Sequence, residues 1–354
     1  MAQQSRLKAV DFFCGGGGMT YGFSQAGVEV LAGIDIDLKC KETYELNNRP
    51  SKFILADVKK LSEETLKNEL GLTRNDDNLI FIGCSPCQYW SIIKTDKTKA
   101  EDSKNLLNDF QRFVDYFNPG FVVVENVPGI FSKPDSPLKG FINFLTNKGY
   151  DSIEHRTIQV FDYGVPQSRK RFVLIASRVK NISFPLPDKG ETPTVRKFIG
   201  DKNIFPEITA GHTDSTDFCH TVPKLKEVNL KRLALTPKDG GTRQAWKNTE
   251  LQLEVYKKND GVGNFSFKDI YGRMFWDKPA PTITTRFTSI SNGRFAHPEQ
   301  DRAISLREGA TLQTFPLDYV FKIKAIEDKA RLIGNAVPPE LARRIAESIV
   351  LSSR

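Results

Sequence analysis

The first 180 residues alternate short apolar runs with amphipathic stretches, the pattern of a parallel α/β sheet. The apolar runs place strands over Lys8–Phe13, Val28–Ile34, Lys52–Leu55, Leu79–Gly83 and Phe121–Glu125. Between them the spacing predicts helices over Met19–Gln25, Leu38–Leu46, Ser62–Glu69, Leu106–Phe117 and Leu138–Lys148. Two further strands, Ile153–Val160 and Arg171–Ser177, flank the turn Tyr163-Gly164-Val165-Pro166. They read as a hairpin that closes the sheet with an antiparallel edge.

The alternation stops near Phe184-Pro185-Leu186-Pro187. Residues 180–272 are rich in Thr, Asn, Asp, Gly and Lys with weak periodicity, as expected of a smaller, irregular second domain. Order returns at Pro279-Ala280-Pro281-Thr282-Ile283-Thr284-Thr285. A final helix follows Pro338-Pro339, with Leu341, Ile345 and Ile349 on one face. The expected division is residues 1–178 with 330–354 in one domain and 179–329 in the other, whose core is about 180–272.

No run approaches the ~18 apolar residues that span a bilayer. The polar start, Met1 to Lys8, leads straight into a strand and does not resemble a signal peptide. A cytoplasmic, nucleoid-associated protein without membrane contact is expected. A net charge of +8 suits an anionic partner such as nucleic acid, and half of that excess falls in residues 178–272. The five cysteines, an odd number at irregular spacing, give no disulfide framework. Cys84 and Cys87 form a lone C-x-x-C, and His220 beside Cys219 is poorly placed to chelate, so no metal site is expected.

The first strand runs into Phe13-Cys14-Gly15-Gly16-Gly17-Gly18, a loop that lets backbone approach a ligand closely. The dinucleotide spacing G-x-G-x-x-G is broken, because Thr20 stands where a third glycine would follow Gly15-x-Gly17. S-adenosylmethionine, which has no pyrophosphate, needs only such a tight loop. Asp35 ends the second strand, where an acid can accept bonds from both ribose hydroxyls. Asp57 ends the third and could bond an adenine amino group; both acids could instead cap the following helices. Gly83-Cys84-Ser85-Pro86-Cys87-Gln88 follows the fourth strand. Its cysteines could be inert packing or a redox pair, yet the proline fixes a turn at the carboxyl edge of the sheet, where a thiol can meet substrate. Glu125 ends the fifth strand at the same edge. Gln167, Arg169 and Arg171 alternate along the hairpin and should share one face, as ligand groups or as plain edge-strand charges.

Taken together these strings resemble the cytosine-5 DNA methyltransferase family of bacterial and phage restriction-modification systems. The matching strings are Asp11-Phe-Phe-Cys-Gly-Gly-Gly-Gly, Pro86-Cys87-Gln88, Glu125-Asn126-Val127, Gln167-x-Arg169-x-Arg171, Arg307-Glu308, Leu312-Gln313-Thr314-Phe315-Pro316 and Gly334-Asn335-Ala336-Val337-Pro338. They occur in the family's order over about residues 7–178 and 273–350. The resemblance implies a Rossmann-like S-adenosylmethionine-dependent methyltransferase sheet with a smaller target-recognition domain, acting on duplex DNA. It implies Cys87 as nucleophile at cytosine carbon 6, Glu125 on ring nitrogen 3 and the exocyclic amine, and Arg169 and Arg171 at the carbonyl oxygen. The target base must be flipped from its helix. Around the cofactor it places Phe13, Gly15, Gly17, Asp35, Ile36 and Asp57, together with Val58, Pro86 and Leu107. Asn335 and Val337 close the methionine end. S-adenosylhomocysteine is the expected product and no metal is required.

Two positions depart from the family pattern: Tyr89-Trp90 follows Gln88 where Phe is usual at the second position, and Asp102-Ser103-Lys104 carries Lys where Arg is common. Lysine neutralises a phosphate but cannot bond it bidentately. A tRNA-directed relative is disfavoured, because Phe218-Cys219-His220-Thr221 does not match the Cys-Phe-Thr string of that branch. An inactive regulatory copy would be expected to lose Cys87 or Glu125, and both remain. The broken glycine spacing argues against a nicotinamide oxidoreductase. A monomeric, stand-alone modification enzyme is expected, with a cognate restriction endonuclease as candidate partner. Arg196, Lys197, Arg232, Arg243 and Lys247 are candidate phosphate or guanine contacts, with solvated surface charge as the alternative; the target sequence is not legible.

Overall fold

A computed structural model describes residues 6–86, 105–254 and 269–353. The chain divides into two compact units. The first comprises Met1–Tyr163, Lys170–Lys189 and Ala336–Arg354; the second comprises Gly164–Arg169 and Gly190–Asn335.

The first unit is built on seven strands: β1 (Lys8–Phe12), β2 (Glu29–Asp35), β3 (Lys52–Leu55), β4 (Leu79–Gly83), β5 (Phe121–Asn126), β6 (Ser152–Gln159) and β7 (Lys170–Ser177). They lie in the order β3-β2-β1-β4-β5-β7-β6. The first five run parallel, whereas β7 pairs antiparallel with both β5 and β6. The hairpin therefore forms as expected, with its later strand inserted against β5 and its earlier strand at the edge. Strands β4 and β5 are buried throughout, as parallel strands covered on both faces must be.

The covering helices follow from local chemistry. Ser62 caps the helix Glu63–Leu70 by accepting from the Thr65 amide at 3.1 Å, with two acids in the first turn and Gly71 closing it in the left-handed region. In the helix Leu106–Phe117, buried Leu107, Phe110, Phe113, Val114 and Phe117 recur at helical spacing. Phe12 meets Phe81 and Phe110 edge-on, each at 5.2 Å between ring centres. The last helix, Pro339–Ser353, buries Leu341, Ile345 and Ile349 and packs on the first, Gly18–Gln25. Gly22 permits that approach, since a methyl there would stand 2.4 Å from the Pro339 carbonyl oxygen.

Strand order reverses direction between β1 and β4. In open α/β sheets the crevice outside the carboxyl ends at such a point receives the ligand. Here those ends carry the glycine loop and the Cys84-Ser85-Pro86 turn.

The second unit has short helices (Val195–Ile199, Glu227–Leu235, Leu306–Leu312 and Ile326–Asn335) and the two-residue strands Gln167–Ser168 and Ala280–Pro281, paired in parallel. Val222, Leu233, Trp246, Tyr271 and Ile290 form part of its apolar core. The single face expected for Gln167, Arg169 and Arg171 is corrected here. The strand stops at Ser168 and restarts at Lys170, with the Arg169 amide turned back onto the Gln167 carbonyl at 3.0 Å, so simple alternation does not run through.

Candidate active site

Phe13, Gly15 and Gly17 take positive φ angles of 64°, 51° and 86°. That turns the chain sharply out of β1. Nothing lies within 4 Å of where a Gly15 side chain would begin, so the loop presents open backbone there. Asp35 shapes the loop from the end of β2: its Oδ2 accepts from the Gly15 amide at 2.8 Å and its Oδ1 from the Asp37 amide at 2.9 Å. Burial raises its carboxyl above the ordinary range, against the pull of those amides. Ile36, next in sequence, is 68% exposed, an apolar surface left uncovered at a strand end. Asp57 lies two residues past β3 and accepts from the Lys59 amide at 3.0 Å, a contact that shapes a turn and caps no helix. Val58 and Leu107 are buried in the main core, and Val337 is buried as well. Pro86 is exposed. Asn335 is exposed at the end of a helix of the second unit.

The fourth and fifth strands bring the reactive side chains of the first unit together. Gly83 pairs with Val124, so Cys84 and Ser85 emerge beside Glu125 and Asn126. The Asn126 amide donates to the Ser85 carbonyl at 3.1 Å and lies 3.2 Å from its hydroxyl, while its own oxygen accepts from the Val127 amide at 2.9 Å. This clamp holds the turn two residues before Cys87, which lies outside the described residues, as do Gln88, Tyr89, Trp90 and Lys104. Glu125 is only 7% exposed. Arg171 Nε stands 2.9 Å from its Oε1, an ion pair; yet that oxygen receives no hydrogen bond of good geometry among the described residues. Burial, followed by the charges of Glu125 and Asp11, pushes the Cys84 thiol well above the usual thiol range. A thiol held protonated is a poor redox nucleophile, which weighs against the dithiol reading.

Arg169 is buried in the second unit and donates to the carbonyls of Ile283 at 3.1 Å and Gly334 at 3.3 Å. Gln167 donates to the Leu312 carbonyl at 2.8 Å and the Gln313 side chain at 2.7 Å, and accepts from the Ile283 amide at 2.9 Å. Gln313 donates in turn to the Ile333 carbonyl at 2.6 Å. Four sequence strings far apart in the chain are thus tied by one buried polar network. Among the surface cations, Arg196 pairs with Asp277 and Lys197 with Glu191. Arg232 is not a surface charge. It is buried, donates to the Leu251 carbonyl at 2.9 Å and lies over the Trp246 and Tyr271 rings, because its helix buries that face against them.

Spacing in the sequence could not have found the Asn126–Ser85 clamp or the Gln167–Gln313 bond, whose partners lie 41 and 146 residues apart. Among the described residues no group of His, Cys, Asp and Glu could hold a metal, and no helix is long and apolar enough to cross a membrane.

Comparison with known proteins agrees with this geometry. The C-5 cytosine-specific DNA methylase family profile matches residues 7–351. A "Type II methylase M.HgiDII" of Herpetosiphon aurantiacus is 41% identical over 96% of this chain and 94% of its own length. The "Type II methyltransferase M1.HphI" of Haemophilus parahaemolyticus is 31% identical over 97% of this chain and 87% of its own. Among solved structures, a putative DNA modification methyltransferase encoded within a prophage (E. coli) superposes with a TM-score of 0.73 at 23% identity, covering 98% of this chain and 99% of that one. At that identity the likeness speaks for the fold. The chain belongs to the C-5 cytosine-specific DNA methylase family and is a DNA cytosine-5 methyltransferase.

Proposed function

We propose that the protein moves the methyl group of S-adenosylmethionine to carbon 5 of a cytosine flipped out of a specific duplex site, with Cys87 as covalent nucleophile. The observation that carries this reading is the Asn126 clamp. It holds Ser85, two residues before Cys87 in the chain, beside a buried carboxylate, Glu125, that keeps one oxygen without a hydrogen bond among the described residues. The residues at the other strand ends fit the cofactor: an open glycine turn, an acid at the tip of β2 and the exposed apolar surface of Ile36. When bound, S-adenosylmethionine supplies an electrophilic methyl group.

Cytosine carbon 5 is a weak nucleophile. Addition of the Cys87 thiolate to carbon 6 places an electron pair on carbon 5, which then takes the methyl group. Glu125 holds ring nitrogen 3 and the exocyclic amine as carbon 6 is attacked, and Arg171 fixes the carboxylate and faces the carbonyl oxygen. Loss of the carbon 5 proton to a base expels Cys87 and restores the ring. Arg169, engaged with two backbone carbonyls, supports this arrangement by holding backbone of the second unit. Target recognition falls to that second unit. The Type II names of the relatives support a restriction-modification setting, with a partner nuclease encoded elsewhere.

Sequencing 5-methylcytosine in DNA from expressing cells identifies the site. A duplex carrying 5-fluorocytosine there should then trap the wild-type protein covalently, because fluorine cannot leave as a proton does. Cys87→Ala should form no adduct and transfer no methyl group while binding S-adenosylhomocysteine as before. Substantial turnover by that variant would overturn covalent catalysis.

A further inference from the structure

Beneath the glycine loop lies a carboxyl group that the reaction above leaves unused. Asp11, the fourth residue of β1, is fully buried. Its Oδ2 accepts from the Thr20 hydroxyl at 2.7 Å. That hydroxyl is 3.0 Å from the Tyr44 hydroxyl, itself 2.7 Å from the Ser51 hydroxyl. Asp11 Oδ1 is also buried and has no hydrogen-bond partner among the described residues.

Among the described residues, the groups that interact with this carboxyl come from several elements, and none carries positive charge. They are Thr20 from the first helix, Asp35 from the tip of β2, Tyr44 from the helix Lys41–Asn47, Cys14 in the loop and Cys84 after β4. Burial drives Asp11 up to about 7, the Thr20 hydrogen bond opposes the rise and the charge of Asp35 adds to it. Burial, with Asp11 and Asp35 adding, also pushes the Cys14 thiol up. Two acids therefore flank one loop with no cation among them to compensate. An uncompensated buried acid disfavours the fold, and such groups concentrate where a ligand completes the charge balance.

The proposed cofactor pair differs in that one respect. The donor carries a sulfonium charge, and the product, after losing its methyl group, is a neutral thioether. We propose that Asp11 is the residue that tells the charged methyl donor from its uncharged product: donor binding ionises Asp11 and releases its proton to solvent, whereas the product binds with Asp11 still protonated. This rests on S-adenosylmethionine being the donor. Once methyl transfer removes the sulfonium charge, Asp11 takes a proton back from solvent, product leaves the protonated site with no further proton change, and donor displaces it more readily as pH rises. One released proton makes donor affinity rise about tenfold per pH unit below the titration of the free carboxyl, levelling off above it.

Calorimetric titration of the whole protein with S-adenosylmethionine and with S-adenosylhomocysteine, each in two buffers of different ionisation enthalpy, counts the protons. Near pH 6 the wild type should release about one proton more with the donor than Asp11→Asn does, and neither protein should differ with the product. The ligands' own amines titrate alike in both proteins and cancel in that difference. Asp11→Asn still accepts from Thr20, and its preference for donor over product should fall about tenfold near pH 8. Equal proton release by wild type and variant, or an unchanged preference, would overturn the assignment. If Asp11→Asn does not fold, Thr20→Val decides: loss of the hydroxyl should move the pH midpoint of donor binding upward, and an unmoved midpoint would overturn it. Binding of neither ligand to the wild type would instead overturn the choice of cofactor, and this assignment with it.

Discussion

In the second unit both oxygens of Glu308 are committed. Arg302, equally buried, donates to each of them at 2.7 Å, and the Ser305 amide adds a third bond at 2.6 Å while the Ser305 hydroxyl caps the helix in return. Burial alone would raise this carboxyl, but the Arg302 guanidinium overrides it and holds it at about 2. Arg273 and Arg307, likewise buried, spend their donors on backbone carbonyls such as those of Leu233, His297, Phe218 and Tyr319. In the first unit Asp11 and Glu125 are buried too, yet each keeps an oxygen without a hydrogen bond among the described residues, Glu125 despite its ion pair with Arg171. A satisfied buried ion is structural, since any new partner would have to break an existing bond. An under-satisfied one retains capacity for a ligand, at a cost to the empty fold.

The sharpest way to test that contrast is to neutralise one acid from each unit. Glu125→Gln should lower methyl transfer by about 10²–10⁴-fold and lower the melting temperature less than the Glu308 change does, because its partner Arg171 keeps some solvent access at 12% exposure, read by single-turnover kinetics and thermal unfolding. A large loss of stability there would erase the distinction. Glu308→Gln leaves Arg302 buried against a neutral partner and should cost roughly 3–5 kcal/mol, a fall on the order of 10 °C in melting temperature. The acid limb adds to this. His297, held neutral by burial with a value near 3 against an ordinary 6.5, takes no proton in the fold where the unfolded chain does. Stability should therefore decline as pH falls from 6.5 towards 3, with Glu308 contributing below its ordinary 4.5. The smallest effect has the opposite sign. Asp11 is raised from 3.8 to about 7, so over that interval the unfolded chain ionises first and the fold is progressively disfavoured. Asp11→Asn should raise the melting temperature at neutral pH by a few °C, and a fall would mean that the carboxyl is already compensated.

Much of the first unit was legible along the chain. Unbroken apolar runs such as Val122-Val123-Val124 can only be covered strands, and the Ser62 and Gly71 signals mark a helix at both ends. The glycine loop, Asp35 and Glu125 were legible too, because each sits next to a strand terminus that the pattern itself locates. Legibility failed where the chain leaves regular structure. Gln167 and Arg169 read as strand neighbours of Arg171, yet the chain turns back at Arg169. Arg232 read as a nucleic-acid contact or a solvated surface charge, yet aromatic rings of the second core cover it. Periodicity describes which way a side chain points along one element, and says nothing of what another element brings to meet it.

By itself the sequence determined the order of strands and helices, the glycine turn and the kinds of reactive group at the strand tips, because backbone sterics and hydrophobic period act over a few residues. Only the tertiary structure decided which buried charges are matched. Asn126 reaches Ser85, Arg302 encloses Glu308, and Asp11 meets no cation among the described residues, through contacts that depend on where separate segments come to rest. In a medium that screens charge so weakly, a few ångströms of that placement separate a structural ion pair from a carboxyl still open to a ligand.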